Sequence, residues 1–237
     1  MGGIGDYRVI YGRTDMVPGG VKRASDLMRA ENVILGSLNY TNHSGLLPHL
    51  ALNVLGVTHR MIVGFRGGAG VFLAMQRGEV NIHSTSIATF RGRSGGFITS
   101  GEGVGFAYLI PVDRNGRYER NTLIHEMPSF PDHYQEVHGK MPAGATWDAF
   151  NWLTNQIGEL TYIGVAPPKT PAAPVAALRK GFEGVAQDKA FADEMVARQG
   201  IPYSHIGAEQ GQAIFRSLAD VSPDIIKTLR DSAKAPN

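Results

Sequence analysis

No cysteine occurs in this 237-residue chain, which excludes disulfides, thiolate zinc sites and a cysteine nucleophile. No segment reaches the ~20 consecutive apolar residues that span a bilayer, so direct membrane insertion is not expected. No block of lysine or arginine and no basic helix stripe accompanies the formal charge of +2 and the pI of about 8.9. Nucleic acid is therefore not expected as a partner. The opening stretch MGGIGDYRVIYGRTDM has neither a basic n-region nor an apolar h-region, so the chain as written is expected to carry no export signal. What is present is a globular composition: 43% hydrophobic and 19% charged residues, enough at this length for one large domain or two modest lobes.

The most informative stretch is Met61 to Ser86, MIVGFRGGAGVFLAMQRGEVNIHSTS. It reads as a buried strand (Met61 to Phe65), a glycine-rich loop (Arg66 to Gly70), a helix (Val71 to Gln76) stopped at Gly78, and a second strand (Val80 to His83). Glycines 67, 68 and 70 let backbone N–H groups face a ligand at the start of the helix, the outline of an anion cradle. The preceding segment repeats this plan, with strand Val33 to Leu35, a polar loop Ser37 to Ser44, and a helix ended by Gly56. Alternating β and α units imply a parallel sheet covered by helices, with every strand-to-helix loop at one edge. Loops Ser37 to Ser44, Arg66 to Gly70 and Ser84 to Ser86 should thus converge, presenting hydrogen-bond donors and helix N-termini suited to a carboxylate.

Elsewhere, Tyr7 to Tyr11 alternates like a strand, and Ser25 is placed to cap a short helix with Asp26 in its first turn. Arg91 to Gly103 reads as an exposed connection before the strand Val104 to Pro111. Trp147, Phe150, Leu153 and Ile157 fall on one helical face as core. After a strand Tyr162 to Val165, Thr170 is a candidate cap for a helix whose apolar face is Val175, Leu178, Phe182 and Val185. Further helices are expected over Lys189 to Gln199, Ala208 to Leu218 and Pro223 to Leu229.

Catalytic patterns fail on context. Gly92 to Gly96 satisfies the letters G-x-S-x-G, but Ser94 lacks the strand before it and the helix after it that an esterase elbow needs. Gly67 to Gly70 lacks the Lys-Ser/Thr ending of a P-loop, and none of the eight histidines forms an H-E-x-x-H pair. No enzyme activity, metal or cofactor is expected.

Four motifs in order resemble one family. GFRGGAGVFLAMQRGEV is similar to the Y-x-G-G, helix, G-x-V-D segment of the Bug-type (TctC-like) solute receptors of tripartite tricarboxylate transporters. NVILGSLNYTNHSGLLPHL resembles their first cleft loop, MPSFPDHY their P-x-x-P region, and YIGVAPPKTPAAPVAALRKGFEGVAQDKAFADEMVARQG their closing strand and helices. The resemblance implies an α/β fold of the type II periplasmic binding protein kind, with parallel-type sheets flanked by helices and two lobes closing on an organic anion. It also implies a periplasmic location, a small organic carboxylate as ligand and the transporter's membrane components as partners. Carried over by position, Ser37, Thr41, Asn42 and Ser44 match the first cleft loop, Arg66, Gly67, Gly68 and Ala69 the second, and Asn81, Ser84 and Ser86 the stretch after it. The chain departs from the pattern at Asn39, Tyr40 and Asn42, where the family has glycines, and at Asn81, where it has Asp. On this reading residues 1–162 form the second lobe. Residues 163–237 return to a first lobe lacking its leading strands, so that helices such as Val175 to Val185 expose an apolar face; an N-terminally truncated product or a misplaced start is the expectation. The alternatives are a small α/β hydrolase or transferase using the same sheet edge, and a cytosolic ligand-sensing or dimerisation module.

Overall fold

The computed structural model describes residues 2–159, 161–202 and 204–234, with the backbone alone at 157–159, 199 and 204. Ile157 therefore lies outside the described side chains, and the ends of the two expected lobes, Met1 and Asn237, lie outside the described residues. In chain order the elements are β1 (Gly2–Gly5), β2 (Arg8–Arg13), β3 (Val33–Gly36), α1 (His43–Leu55), β4 (His59–Ile62), α2 (Gly67–Gln76), β5 (Ile82–Ser86), α3 (Ile87–Arg93), α4 (Gly95–Thr99) and β6 (Gly103–Leu109). There follow α5 (Phe130–His138), α6 (Ala145–Glu159), β7 (Tyr162–Gly164), α7 (Ala172–Gln187), α8 (Lys189–Gln199), β8 (Ser204–Ile206), α9 (Ala208–Ser217) and α10 (Pro223–Ser232).

The strands form two sheets. The larger has the order β4-β3-β5-β2-β6. Its β4, β3 and β5 are parallel and joined by the crossover helices α1 and α2, as the alternation of β and α segments requires. β2 enters between β5 and β6 and runs antiparallel to both, so the sheet is mixed. This insertion matters for function, because it brings the first residue of β2 to the edge where the parallel strands end.

Two apolar layers cover the larger sheet. Alternation along β2 sends Ile10 to one face and Val9 and Tyr11 to the other. Ile10 joins Leu35, Leu47, Leu50, Phe106, Phe130 and Phe150; Val9 and Tyr11 join Val71, Met75, Phe90 and Phe97. The segment expected as an exposed connection, Arg91 to Gly103, instead contains the last turn of α3, all of α4 and the buried Phe97. Its glycines and serines mask a seven-residue spacing between Phe90 and Phe97, two turns of helix on one side. Ser25 does not cap. The Asp26 carboxylate takes that place by accepting the N–H groups of Lys22 and Arg23 at 2.9 and 3.1 Å, while Ser25 Oγ donates to Glu136.

The second sheet is small, with the order β7-β1-β8, and β1 pairs antiparallel with both neighbours. Gly2–Gly5 thus pairs with Tyr162–Gly164 and Ser204–Ile206, and α10 packs on α6 and α1. Thr170 does not cap α7; its hydroxyl donates to the Pro167 carbonyl at 2.7 Å, and Pro171 precedes the helix without a side-chain bond. No side chain of α7 is buried, and Leu178 and Val185 stand 47% and 44% exposed. This is the uncovered apolar face that the helix pattern implied.

Burial holds His83 and His133 neutral, with pKa values lowered to about 4. An unfolded histidine takes up a proton near pH 6.5, so the unfolded state binds more protons between pH 6.5 and about 4 and stability falls across that window. Each residue contributes on the order of 2 kcal/mol to the loss. The melting temperature should therefore decline steeply from pH 7 to pH 4.5, and a flat profile would contradict these burials.

Candidate functional site

Arg8 is the centre of the site. Its register against Ser86 places it at the carboxyl end of β5, and its side chain is only 7% exposed. The Nη2 group donates to the Ser84 carbonyl at 2.8 Å, while the buried Nε has no hydrogen-bond partner. Desolvation lowers its pKa to about 10, with the Asp6 charge acting in the opposite direction. The guanidinium therefore stays charged at neutral pH, and among the described ion pairs none involves it. A buried cation without a counter-ion is costly unless something anionic reaches it.

Arg8 opens onto a cavity of about 220 Å³ at the ends of β3 and β5, lined also by Asn42, His43, Ser44, Gly68, His83, Ser84, Thr85, Thr89 and Arg93. No acidic residue lines it. Ser84 is fully buried and its hydroxyl has no partner. His83 directs Nδ1–H to the Gly36 carbonyl at 3.2 Å, and in that tautomer Nε2 is an acceptor. Asn42 caps α1, its Oδ1 accepting the Gly45 N–H at 2.9 Å as well as the hydroxyls of Ser37 and Ser44. Only glycine fits at 45, because a Cβ there would lie 2.4 Å from the Asn39 carbonyl oxygen. Two helices of at least ten residues, α1 and α2, begin at this cavity, adding partial positive charge to that of the arginines.

Of the residues singled out in the sequence, Asn42, Ser44, Gly68 and Ser84 line the cavity. The others do not. Ser37 is fully buried and braces the loop through Asn39 and Asn42, and Thr41 is exposed with its N–H and hydroxyl turned to Asn39. Arg66 and Ala69 are exposed at the start of α2. The presumed glycine loop is the first turn of that helix; only Gly67, with φ +77°, needs the left-handed region. Asn81 lies at the opposite end of β5, where its side chain accepts the Ile34 N–H and donates to the Asn32 carbonyl, tying β3 to β5. Ser84 to Ser86 are strand rather than loop, since the ladder to β2 pairs them with Ile10, Val9 and Arg8. Ser86 caps α3 and faces a neighbouring cavity. Arg8, Thr89 and Arg93 were not anticipated, while His43, His83 and Thr85 lie within the expected stretches without having been singled out. The one sequence signal for Arg8 is a charge among residues alternating toward a core.

Ser94 cannot act as an esterase nucleophile. It is fully buried between α3 and α4, and its hydroxyl donates to the Tyr11 hydroxyl at 3.2 Å rather than to a base. Among the described residues no group of three His, Asp or Glu side chains is placed to hold a metal ion, and no helix is long and apolar enough to cross a membrane.

This fold, two α/β sheets flanked by helices with a polar cavity at a sheet edge, is that of the Bug/TctC-type periplasmic binding proteins. The periplasmic binding protein BugD superposes with a TM-score of 0.58 at 17% identity, covering 98% of this chain and 66% of its own. MatC of Rhodopseudomonas palustris, solved with bound malate, gives 0.57 at 14% identity, over 98% and 67% of the two chains. Rpa4515 of R. palustris, solved with adipate, gives 0.61 at 14% identity over the same shares. The chain thus spans about two thirds of the length of these structures. No protein-family model and no curated protein sequence matches it.

Proposed function

We propose that this chain is the ligand-binding part of an extracytoplasmic solute receptor. It would capture a small organic carboxylate and deliver it to the membrane components of a tripartite tricarboxylate-type transporter, with no chemistry done on the ligand. The observation that carries this reading is the buried, unpaired Arg8 Nε beside the unpaired Ser84 hydroxyl in a cavity free of acidic side chains. A carboxylate bound there would answer both, because charge-assisted hydrogen bonds to a guanidinium are the strong ones and the surrounding N–H groups reinforce them. Asn42, Ser44 and the Gly68 backbone complete the grip in this proposal. The fold supports it: MatC and Rpa4515 were solved with malate and adipate, and the structures compared above are binding proteins.

The test is a thermal-shift and calorimetric screen of the full chain against aliphatic and aromatic carboxylates, with the corresponding amides as controls. Ligand at a hundred times its Kd should raise stability by about 2.7 kcal/mol. Stabilisation by a carboxylate and not by its amide is the expected result, and no response to any carboxylate would remove the proposal.

A further inference from the structure

A cavity of about 250 Å³ opens at the end of the smaller sheet where β1 begins. Strands β7 and β8 both run antiparallel to β1, hence parallel to each other, and each leads into a helix, α7 and α9. Their carboxyl ends share one edge, the general place for a ligand in an α/β sheet. β1 runs the opposite way: Gly2 lines this cavity, whereas Gly5 leads toward β2 and Arg8. Ile163, Val175 and Phe215 form an apolar wall, Arg179 and Gln212 supply polar groups, and no acidic side chain lines the space. Although no whole side chain of α7 is buried, the Nε of Arg179 is, without a hydrogen-bond partner, and Arg179 takes part in none of the ion pairs found among the described residues. A guanidinium N–H withdrawn from water without an acceptor is costly. Gly211 is a second, separate observation. It is buried inside α9, where glycine weakens a helix relative to alanine, yet a Cβ built on it would meet nothing within 4 Å. No described neighbour requires glycine there, and the residue lines the cavity.

We propose that this cavity is a second ligand site, separate from the Arg8 cavity, for an organic anion with an aromatic or bulky aliphatic body. The anionic group would accept from Arg179 Nε and the Gln212 amide while the body lies against Ile163, Val175 and Phe215. Two features set this class. Arg179 is the one charged residue of the lining, and a neutral apolar molecule would leave its Nε without an acceptor. The apolar wall in turn gains from a ligand that displaces water from it, which a small inorganic ion does not do. The Arg8 cavity differs in this respect, since Ser44, Ser84, Thr85 and Thr89 line it. At about 250 Å³ the room suits a molecule of one or two rings, just below the range of drug-sized pockets. The site lies on the other sheet and does not depend on the carboxylate reading above.

Naphthalene-1-sulfonate and 1-naphthol, an anion and a neutral molecule on the same ring system, decide the matter by calorimetry on the full chain. The sulfonate should bind roughly tenfold tighter or more, the value of one charge-assisted hydrogen bond. Arg179→Met should bring that ratio to about one, whereas Arg8→Met should leave it as in the wild type. Gly211→Leu, which fills the cavity with a better helix former, should block the sulfonate without lowering the melting temperature. Equal binding of the two probes, no binding of either, or a ratio unchanged by Arg179→Met would overturn the second site. So would a ratio abolished by Arg8→Met, or sulfonate binding that survives in a folded Gly211→Leu variant.

Discussion

Replacing Arg8 by methionine, which keeps the bulk of the stem and removes the charge, should weaken carboxylate binding by about 10²- to 10³-fold, the consequence of deleting one partner of a buried charge pair. The fold should survive. Among the described residues the one hydrogen bond of the Arg8 side chain goes to the Ser84 carbonyl, while the strand itself is held by its ladders to β5 and β6. Arg8→Lys should give an intermediate loss, since lysine keeps the charge but loses the planar fork. Titration calorimetry on both variants, with circular dichroism to verify the fold, measures this order. Wild-type affinity in Arg8→Met would show that the cavity does not bind through this residue.

The second large effect concerns stability. Phe150 is fully buried, with ring centroids 4.6 Å from Phe130 and 5.6 Å from Trp147. Truncation to alanine opens a cavity between α5 and α6 and should cost about 3–5 kcal/mol. α10 packs on α6, and Leu229 reaches the same cluster, so hydrogen exchange across Pro223–Ser232 should quicken in the variant. Phe182→Ala is the contrasting control. That ring lies on α7, where no side chain is buried, and its loss should cost no more than about 1 kcal/mol. Denaturant unfolding of the two variants would expose an error in either burial, and comparable losses would contradict the uneven distribution of core described here.

The α/β alternation was legible because local signals agreed with the tertiary outcome. The polar loop after β3, the helix stop at Gly56 and the apolar face of Trp147 and Phe150 need no knowledge of distant contacts. The site was legible only where it is built from loop and helix-start residues, as with Asn42, Ser44 and Gly68. Arg8 and His83 lie inside strands, and their importance follows from β2 entering antiparallel between β5 and β6, a pairing with no local signature. Asn81 misled for the opposite reason: an amide close to the cleft motif in sequence lies a strand's length away in space, stitching backbone to backbone. Ser84 and Ser86 carry side chains that favour loops, and the central position of β5 overrides that preference.

The place of β1 bears on the order in which the molecule is assembled. It is the middle of the smaller sheet, and its partners Tyr162–Gly164 and Ser204–Ile206 come long after it in the chain. The larger sheet draws its strands from residues up to Leu109 and can begin to close while the chain is still emerging. The smaller one must wait until Gly2–Gly5 meets strands from far along the chain, the kind of distant closure that slows folding. It should form last and open first. Since Arg8 opens β2 just after β1 ends at Gly5, ligand capture would be coupled to the completeness of the part of the fold that arrives latest.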